Sequence, residues 1–586
     1  MKTVLVGINS KYIHTCLAIW YLKASIFKNE KLNNACNDII SREFTINDNK
    51  DSILSEIYKE KPDVLTFSSY IWNIEIILIL SKEIKKLLPH CNIILGGPEV
   101  SYDAHLVLEE NCAIDFVLCG EGEENFPILY ASLLNHSEDY KQLSGIAYRT
   151  ENSIVYKEGF SLVQNLDEIE SPYTPELMKS VTNRIVYYES SRGCPFSCSY
   201  CISSTFNGVR FFSFDRVKSD LNTLLTYKPK LIKFVDRTFN CNKQRAKEIF
   251  KYIISLDCNT LFHFEAAADL FDDELLELLS HARKGLIQLE IGIQTTNANA
   301  LEEIDRVTDL DKLSKNVINI LKTGNIHVHV DLIAGLPLED LESFKKSFDS
   351  VYGMRPHKLQ LGFLKLLKGS KVRNEASKHG FTYRNYAPYE VLSNNYVSYD
   401  DILLLKDLEE VLERYFNSAR FDNSLEFIES NLFSHSFELY YKLSVFCREG
   451  GYLDRPISYR ENISILYKFF ENIKTYEKDL EVFRQKMIFD FLSSDSSCAI
   501  PECLKREGDL LSVSTIHQLL KDDEFIKAYL PEFKGIQTKN ILKKVFFIVL
   551  RDHTKASEII MFDYSQRDLM NDKFRSVVIK NKFPLK

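Results

Sequence analysis

Cys194, Cys198 and Cys201 stand within Ser191-Arg192-Gly193-Cys194-Pro195-Phe196-Ser197-Cys198-Ser199-Tyr200-Cys201, a Cys-x3-Cys-x2-Cys spacing with an aromatic residue just before the last cysteine. Three thiolates so close in sequence can wrap one soft metal centre but cannot close its coordination. Iron–sulfur cubanes take four thiolates and structural zinc takes four ligands, so a three-cysteine cluster leaves one iron open to a small molecule. Zinc, or thiols buried as small hydrophobes, are the other readings. Zinc would want a fourth ligand at short spacing, and the next cysteines are Cys241 and Cys258. A loop rich in Gly and Ser is a poor place to bury three thiols. Ligand softness and ligand count favour iron and sulfide.

A loop of this kind needs a rigid element to hold it, and the pattern on both sides supplies one. Strand signals at Arg184–Glu189, Leu231–Asp236, Leu261–Ala266, Leu286–Gln294, His327–Ala334 and Lys358–Leu366 alternate with helical patterns at Asp215–Tyr227, Lys243–Leu256, Asp273–His281, Asp311–Thr323 and Leu341–Val351. The cysteine loop follows the first of these strands, at the carboxyl end where barrel enzymes carry their chemistry. Residues 1–135 alternate in the same way, with strands at Thr3–Ile8, Ile39–Ile46, Val64–Ser69, Cys91–Gly97 and Ile114–Glu121. This predicts a parallel, doubly wound, Rossmann-like sheet with helices on both faces. Ligands bind such sheets at the carboxyl ends of the strands, where Ser68-Ser69, Gly96-Gly97-Pro98 and Gly120-Glu121-Gly122 fall.

Ile146–Arg149 and Ile154–Lys157 read as a hairpin, and Leu166–Pro175 as a linker. From residue 385 onward the pattern turns mainly helical, with Asp401–Phe416 and Ile463–Leu492 as long apolar-periodic stretches. That region shows no catalytic motif, and Cys447, Cys498 and Cys503 share no spacing. The expected domains are 1–140, 141–180 (hairpin and linker), 181–384 and 385–586.

Composition narrows the class. The chain has 586 residues, 45% apolar and 26% charged, with net charge −9. That balance argues against a general nucleic-acid surface. Thirteen cysteines without a signal peptide predict a cytoplasmic protein whose thiols serve metals or cores. The most apolar stretch, Ile74–Leu80, is too short to span a bilayer.

The cysteine motif with Arg192-Gly193, Pro195 and Tyr200 resembles the radical SAM (S-adenosylmethionine) superfamily. The segments Gly96-Gly97-Pro98-Glu99-Val100-Ser101 and Gly120-Glu121-Gly122-Glu123 look like the cobalamin-binding domain that precedes many of its members. The resemblance implies a central partial (β/α)6 TIM-type barrel. It implies three cofactors: a [4Fe–4S] cluster on Cys194, Cys198 and Cys201, S-adenosylmethionine on the open iron, and cobalamin on the front domain. It implies adenine against Tyr200, the cofactor's amino group near Asp236 (whose bland alternative is a salt bridge with Arg237 or a cap), and ribose hydroxyls near Glu290, Gln294 and Thr295. Asp331 and Gly335-Leu336-Pro337 lie on the next strand and its loop, where Gly335 and Pro337 would shape the turn beside the cofactor, and Glu265 could equally be a paired core carboxylate. Ser68, Ser69, Gly96, Gly97, Pro98, Gly120, Glu121 and Gly122 would line the corrin. The Asp-x-His-x-x-Gly loop is absent after the first strand, so His14 is not expected to ligate cobalt.

The implied reaction is reductive cleavage of S-adenosylmethionine to a 5′-deoxyadenosyl radical, followed by methylation of an unactivated carbon. A reducing partner such as flavodoxin or ferredoxin and a small-molecule or peptide substrate would complete it. The alternatives are a rearrangement or cyclisation without methyl transfer, a corrin-free radical SAM enzyme, and a non-enzymatic iron–sulfur or zinc protein. A tRNA methylthiotransferase is disfavoured, because the first domain lacks cysteines spaced for a second cluster.

Overall fold

The computed structural model describes residues 1–28, 32, 38–206, 208–473, 476–551 and 557–579. Its front sheet has seven strands in the order β2-β1-β3-β4-β5-β6-β7. They are β1 (Thr3–Asn9), β2 (Ile39–Thr45), β3 (Val64–Ser68), β4 (Asn92–Gly96), β5 (Phe116–Leu118), β6 (Ile146–Arg149) and β7 (Ile154–Lys157). The first five are parallel. The expected hairpin β6–β7 adds antiparallel to β5, so it extends the front sheet instead of standing apart as a connector. β1 is buried at every position, as a central strand covered on both faces must be. The helix Ile74–Leu87 shows the matching pattern: Ile74, Ile77, Leu80 and Ile84 are buried on one stripe, and Lys85 and Lys86 in its last turn oppose the helix dipole.

The second sheet runs β8 (Val186–Tyr188), β11 (Leu231–Phe234), β12 (Leu261–Glu265), β13 (Ile287–Gln294), β14 (His327–Ala334) and β15 (Lys358–Phe363), side by side and all parallel. Right-handed crossovers through the helices between them curl this sheet into a partial barrel. Burial along β13 and β14 alternates residue by residue. One face packs on the outer helices, and the other brings Lys233, His263, Glu290, Asp331 and Gln360 together in the lumen. The cysteine segment is itself a strand. β9 (Ser191–Cys194) pairs antiparallel with β10 (Gly208–Phe211), with Arg192 opposite Arg210.

The last third is helical from Tyr399 to Ile541, as expected, and then forms an antiparallel sheet of Val545–Arg551, Ser557–Arg567 and Phe574–Ile579 that the sequence reading did not foresee. The long stretch Ile463–Leu492 is two helices, Tyr459–Asn472 and Glu477–Ser494. This region docks on the barrel's outer layer. Phe437 N donates to Asp349 Oδ1 at 2.7 Å, and the Tyr352 and Tyr440 hydroxyls meet at 3.0 Å. Among the described residues no helix is long and apolar enough to cross a membrane.

One buried network fixes the top of β13. Thr295 donates its hydroxyl to Glu339, and Ser347 donates to the same carboxylate at 3.2 Å. Glu339 is 1% exposed and its second oxygen has no hydrogen-bond partner. Burial pushes its carboxyl up to about 7, against the pull of the two hydroxyls. A raised carboxyl pKa favours the folded state below the unfolded value, and that stability is lost as pH climbs through the folded value. From pH 4.5 to about 7 this group alone should remove up to about 3 kcal/mol. Urea titrations at pH 4.5 and 7.5 should show a smaller pH-dependent loss in Glu339→Gln than in wild type; the same loss in both would contradict the assignment.

Candidate active site at the domain seam

The carboxyl edge of the front sheet faces the carboxyl edge of the barrel across one cavity of about 970 Å³. Its front wall includes Ser68, Gly96, Gly97, Pro98, Ser101, Gly120, Glu121 and Gly122. Its barrel wall includes Ser191, Arg192 and Gly193 on one side of the cysteines and Ile202, Ser203 and Phe206 on the other, with Lys233, Arg237 and Glu265 at the lumen mouth. The front-edge turns and the residues flanking the cysteines therefore open onto the same space, while Cys194, Cys198 and Cys201 themselves are not on its wall.

Hydrogen bonds hold the cysteine loop from several directions. Asp236 is 1% exposed, and its carboxylate accepts from Ser190 N at 3.0 Å, Ser190 Oγ at 2.6 Å and Ser191 Oγ at 2.5 Å. It ties the end of β11 to the start of β9. Burial pushes its carboxyl up, against those donors. This differs from the expected role at an ammonium, since its oxygens are committed to the hairpin, and the alternative salt bridge with Arg237 is not formed either. Ser199 N donates to Ile304 O, and Val372 N to Ser199 O, both at 2.9 Å. Cys198 is buried and Cys194 and Cys201 are partly exposed. The Arg306 guanidinium lies 3.6 Å from Cys198 Sγ and 3.5 Å from the Tyr200 hydroxyl, and it also donates to Gly292 O. Thr238 Oγ1 lies 3.6 Å from Cys194 Sγ. Arg306 and Thr238 were missed from sequence because no motif distinguishes a half-buried arginine after a helix or a threonine after Asp-Arg.

The donor set suits a cluster better than a single ion. Tetrahedral zinc with Zn–S near 2.3 Å gathers thiolates to about 3.8 Å from one another. Among the described residues, the group whose ligand atoms all approach within 4.8 Å is Glu303, Glu375 and His379, not the cysteines. The three sulfurs are therefore not all within 4.8 Å of one another, wider than a single tetrahedral ion gathers them. Burial pushes the Cys198 thiol up, against the pull of the Arg306 guanidinium, and hydrogen-bond donors beside the sulfurs would tune the potential of a bound cluster.

At the front edge Ser68 lines the cavity, whereas Ser69 turns into the sheet: its N–H donates to Gly96 O at 2.7 Å and its carbonyl accepts from Glu99 N at 3.3 Å. Gly97 and Gly120 have φ of +105° and +91°, and a Cβ there would stand 2.5 and 2.4 Å from the Ser69 and Ser161 carbonyl oxygens. Their want of a side chain is dictated by the neighbouring backbone. Glu121 is likewise not free to meet a corrin. It accepts from Arg210 at 2.9 and 2.5 Å and from Val163 N at 2.7 Å, and lies 3.3 Å from Arg192. Burial pushes its carboxyl up, but the Arg210 and Arg192 guanidiniums outweigh this and hold it below the usual range. His14 lines the cavity with Nδ1 at the Tyr187 hydroxyl, 2.5 Å away.

The remaining expected residues divide. Tyr200, Glu290, Gln294 and Thr295 are not on the cavity wall. Tyr200 and Gln294 lie beside Arg306 and Gly292 at the cysteine loop, with Gln294 at φ +73° where β13 slips register. Thr295 is 0% exposed and spent on Glu339, which removes it from a ribose. Glu290 sits lower in the lumen, 2.9 Å from His263 Nε2 and 3.1 Å from Lys233 Nζ. Burial raises its carboxyl, yet His263 and Lys233 bring it down to about 2. Asp331 beside it, hydrogen-bonded by Gln360 at 2.8 Å, is pushed up to about 7 by burial and the Glu290 charge. Glu265, 3.9 Å from Lys233, faces the cavity.

Comparison with known proteins agrees with this layout. Residues 3–130 match the B12 binding domain, 188–351 the radical SAM superfamily, and 377–564 a family described as a protein of unknown function (DUF4080). The cobalamin-dependent radical SAM methyltransferase TokK of Streptomyces tokunonensis is 26% identical over 307 residues, 50% of this chain and 45% of that protein. The anaerobic magnesium-protoporphyrin IX monomethyl ester cyclase of Synechocystis is 27% identical over 260 residues, 43% of this chain and 51% of that protein. The chain thus spans about half the length of these curated relatives. The solved structure of apo OxsB, a cobalamin-dependent S-adenosylmethionine radical enzyme, shares the fold with a TM-score of 0.59 at 13% identity, over 84% of this chain and 83% of that one. The domain matches assign a [4Fe–4S] cluster, S-adenosylmethionine and cobalamin as the cofactors. The chain thus carries a B12-binding domain followed by a radical SAM domain.

Proposed function

We propose that the protein is a cobalamin-dependent radical SAM methyltransferase acting on an unactivated carbon. The observation that carries this reading is the single cavity bounded by the front sheet's glycine turns and by the cysteine hairpin and barrel mouth. Methylating a carbon radical requires the radical source and the methyl carrier to reach one substrate atom, and holding reactants in one site is the main contribution a protein can make to such a step. When bound, the cluster with S-adenosylmethionine supplies hydrogen abstraction and cobalamin supplies the methyl group. The chain's own work is ligation, orientation and exclusion of water.

In this reading Cys194, Cys198 and Cys201 ligate the cluster, with Arg306 and Thr238 stabilising two of the thiolates. Tyr200 and Gln294 border the S-adenosylmethionine, and Asp236 acts as a positioning residue by fixing the hairpin. Ser68, Gly96, Gly97, Pro98, Gly120 and Gly122 present the surface to the corrin. Lys233, Glu265, Glu290 and Asp331 give the lumen a polar lining for the substrate. An external one-electron donor, such as flavodoxin or ferredoxin, reduces the cluster. A second reading, radical cyclisation without methyl transfer, draws on the relatives named as cyclases.

Two measurements test these readings. Anaerobically reconstituted protein should carry about four irons and four sulfides. Replacing Cys194, Cys198 and Cys201 together by Ala should abolish them, while Ser at Cys447, Cys498 or Cys503 should not; equal iron in the triple variant would refute the ligand assignment. With the true substrate, 5′-deoxyadenosine and S-adenosylhomocysteine should form in comparable amounts beside a methylated product. 5′-Deoxyadenosine without S-adenosylhomocysteine would replace methyl transfer by cyclisation or rearrangement.

A further inference from the structure

We propose that Tyr389 and Lys368, at the entrance to the region of unknown function, are positioning residues for cobalamin. They act through Glu99 on the turn that lines the front wall of the cavity. The inference rests on the reading that cobalamin occupies that wall.

Glu99 follows Pro98 in the short helix Pro98–Ser101, and Gly96, Gly97, Pro98, Ser101 and Tyr102 all line the cavity. Glu99 does not. It is 2% exposed and points to the other side, where the Tyr389 hydroxyl donates to its carboxylate and Lys368 Nζ lies 3.5 Å away. Lys368 also pairs with Asp103 at 2.9 Å. A buried carboxylate without such partners is costly, so these two side chains fix where the turn can sit.

Tyr389 has φ +59° and is 5% exposed. Bulky residues rarely adopt that left-handed backbone, and it persists only where the surroundings enforce it. Here Tyr389 N donates to Tyr386 O at 2.8 Å, Leu366 N donates to Tyr389 O at 2.9 Å, and Arg373 stacks 4.6 Å from the ring centre. The same segment grips the other cofactor loop through Val372 N and Ser199 O, between Cys198 and Tyr200. Tyr102, next to the turn, reaches Thr205 Oγ1 at 2.8 Å, and Gly369 lies against its ring. One strap, residues 366–391, thus holds the corrin turn and the cysteine loop from behind.

The test uses full-length, cluster-reconstituted protein titrated with hydroxocobalamin and followed by absorbance, with iron content and thermal midpoint measured in parallel. Tyr389→Phe and Lys368→Met should each weaken cobalamin binding about tenfold, the loss expected for one hydrogen bond to a charged group, with iron content unchanged. Tyr389→Phe combined with Glu99→Gln should be no worse than the weaker single variant, because both act at one contact. A lower thermal midpoint with unchanged cobalamin affinity would make the clasp merely structural and overturn the proposal. If Tyr389→Phe fails to fold, Lys368→Met decides alone, since its side chain is 20% exposed. Wild-type protein that binds no cobalamin would overturn the underlying reading instead, a result distinct from equal affinities.

Discussion

The Arg192 guanidinium is the interaction on which the rest of the architecture depends. It stands two residues before Cys194 and is held from both domains: by Glu123 at 2.6 Å and Glu121 at 3.3 Å from the front edge, and by Glu189 at 3.0 Å from the end of β8. Arg210, paired with it across the hairpin, closes the group by gripping Glu121. Burial pushes the Glu189 carboxyl up, against the pull of Arg192. Charges removed from water in this way are tolerated only when their partners are in place, and removing one partner of a buried pair costs about 3–5 kcal/mol. The cluster of charges therefore forms when the two domains are docked in one arrangement. It sets the front sheet's glycine turns and the hairpin that carries Cys194 on opposite walls of one cavity.

Everything else braces that seam. Asp236 binds the hairpin to the barrel from inside, Arg306 joins the cysteine loop to β13, and the 366–391 strap ties the loop and the front turn together from outside. The lumen below is polar, with Lys233 3.1 Å from Glu290 and with the Asp331 carboxyl pushed up to about 7 by burial and the Glu290 charge. Such a lining can orient a polar substrate without a large net charge.

The parts legible in the sequence were those whose logic is local. The cysteine spacing carries its coordination chemistry within eight residues, and the strand–helix alternation carries two parallel sheets because each element buries one face by its own period. What escaped was decided by partners far along the chain. Glu121 reads as a ligand-facing residue until Arg192 and Arg210, each more than 70 residues away, are seen to claim it. Thr295 reads as a strand-end donor until its hydroxyl is seen to donate to Glu339. Gly97 and Gly120 read as corrin-lining turns, whereas the obstacles a side chain would meet there are the carbonyls of Ser69 and Ser161, which no local pattern reveals. The C-terminal sheet was missed because a short apolar run such as Val545–Leu550 fits a buried helix as well as a strand when no periodicity decides.

The central claim is that cobalamin and the cluster share one space. With both loaded and reduced to cob(II)alamin and [4Fe–4S]⁺, each centre carries an unpaired electron, so electron paramagnetic resonance reads their proximity directly. The account predicts mutual broadening or splitting of the two signals and faster relaxation of the cobalt centre, all lost when Cys194, Cys198 and Cys201 are replaced. Two independent spectra, each identical to that of the singly loaded protein, would contradict it.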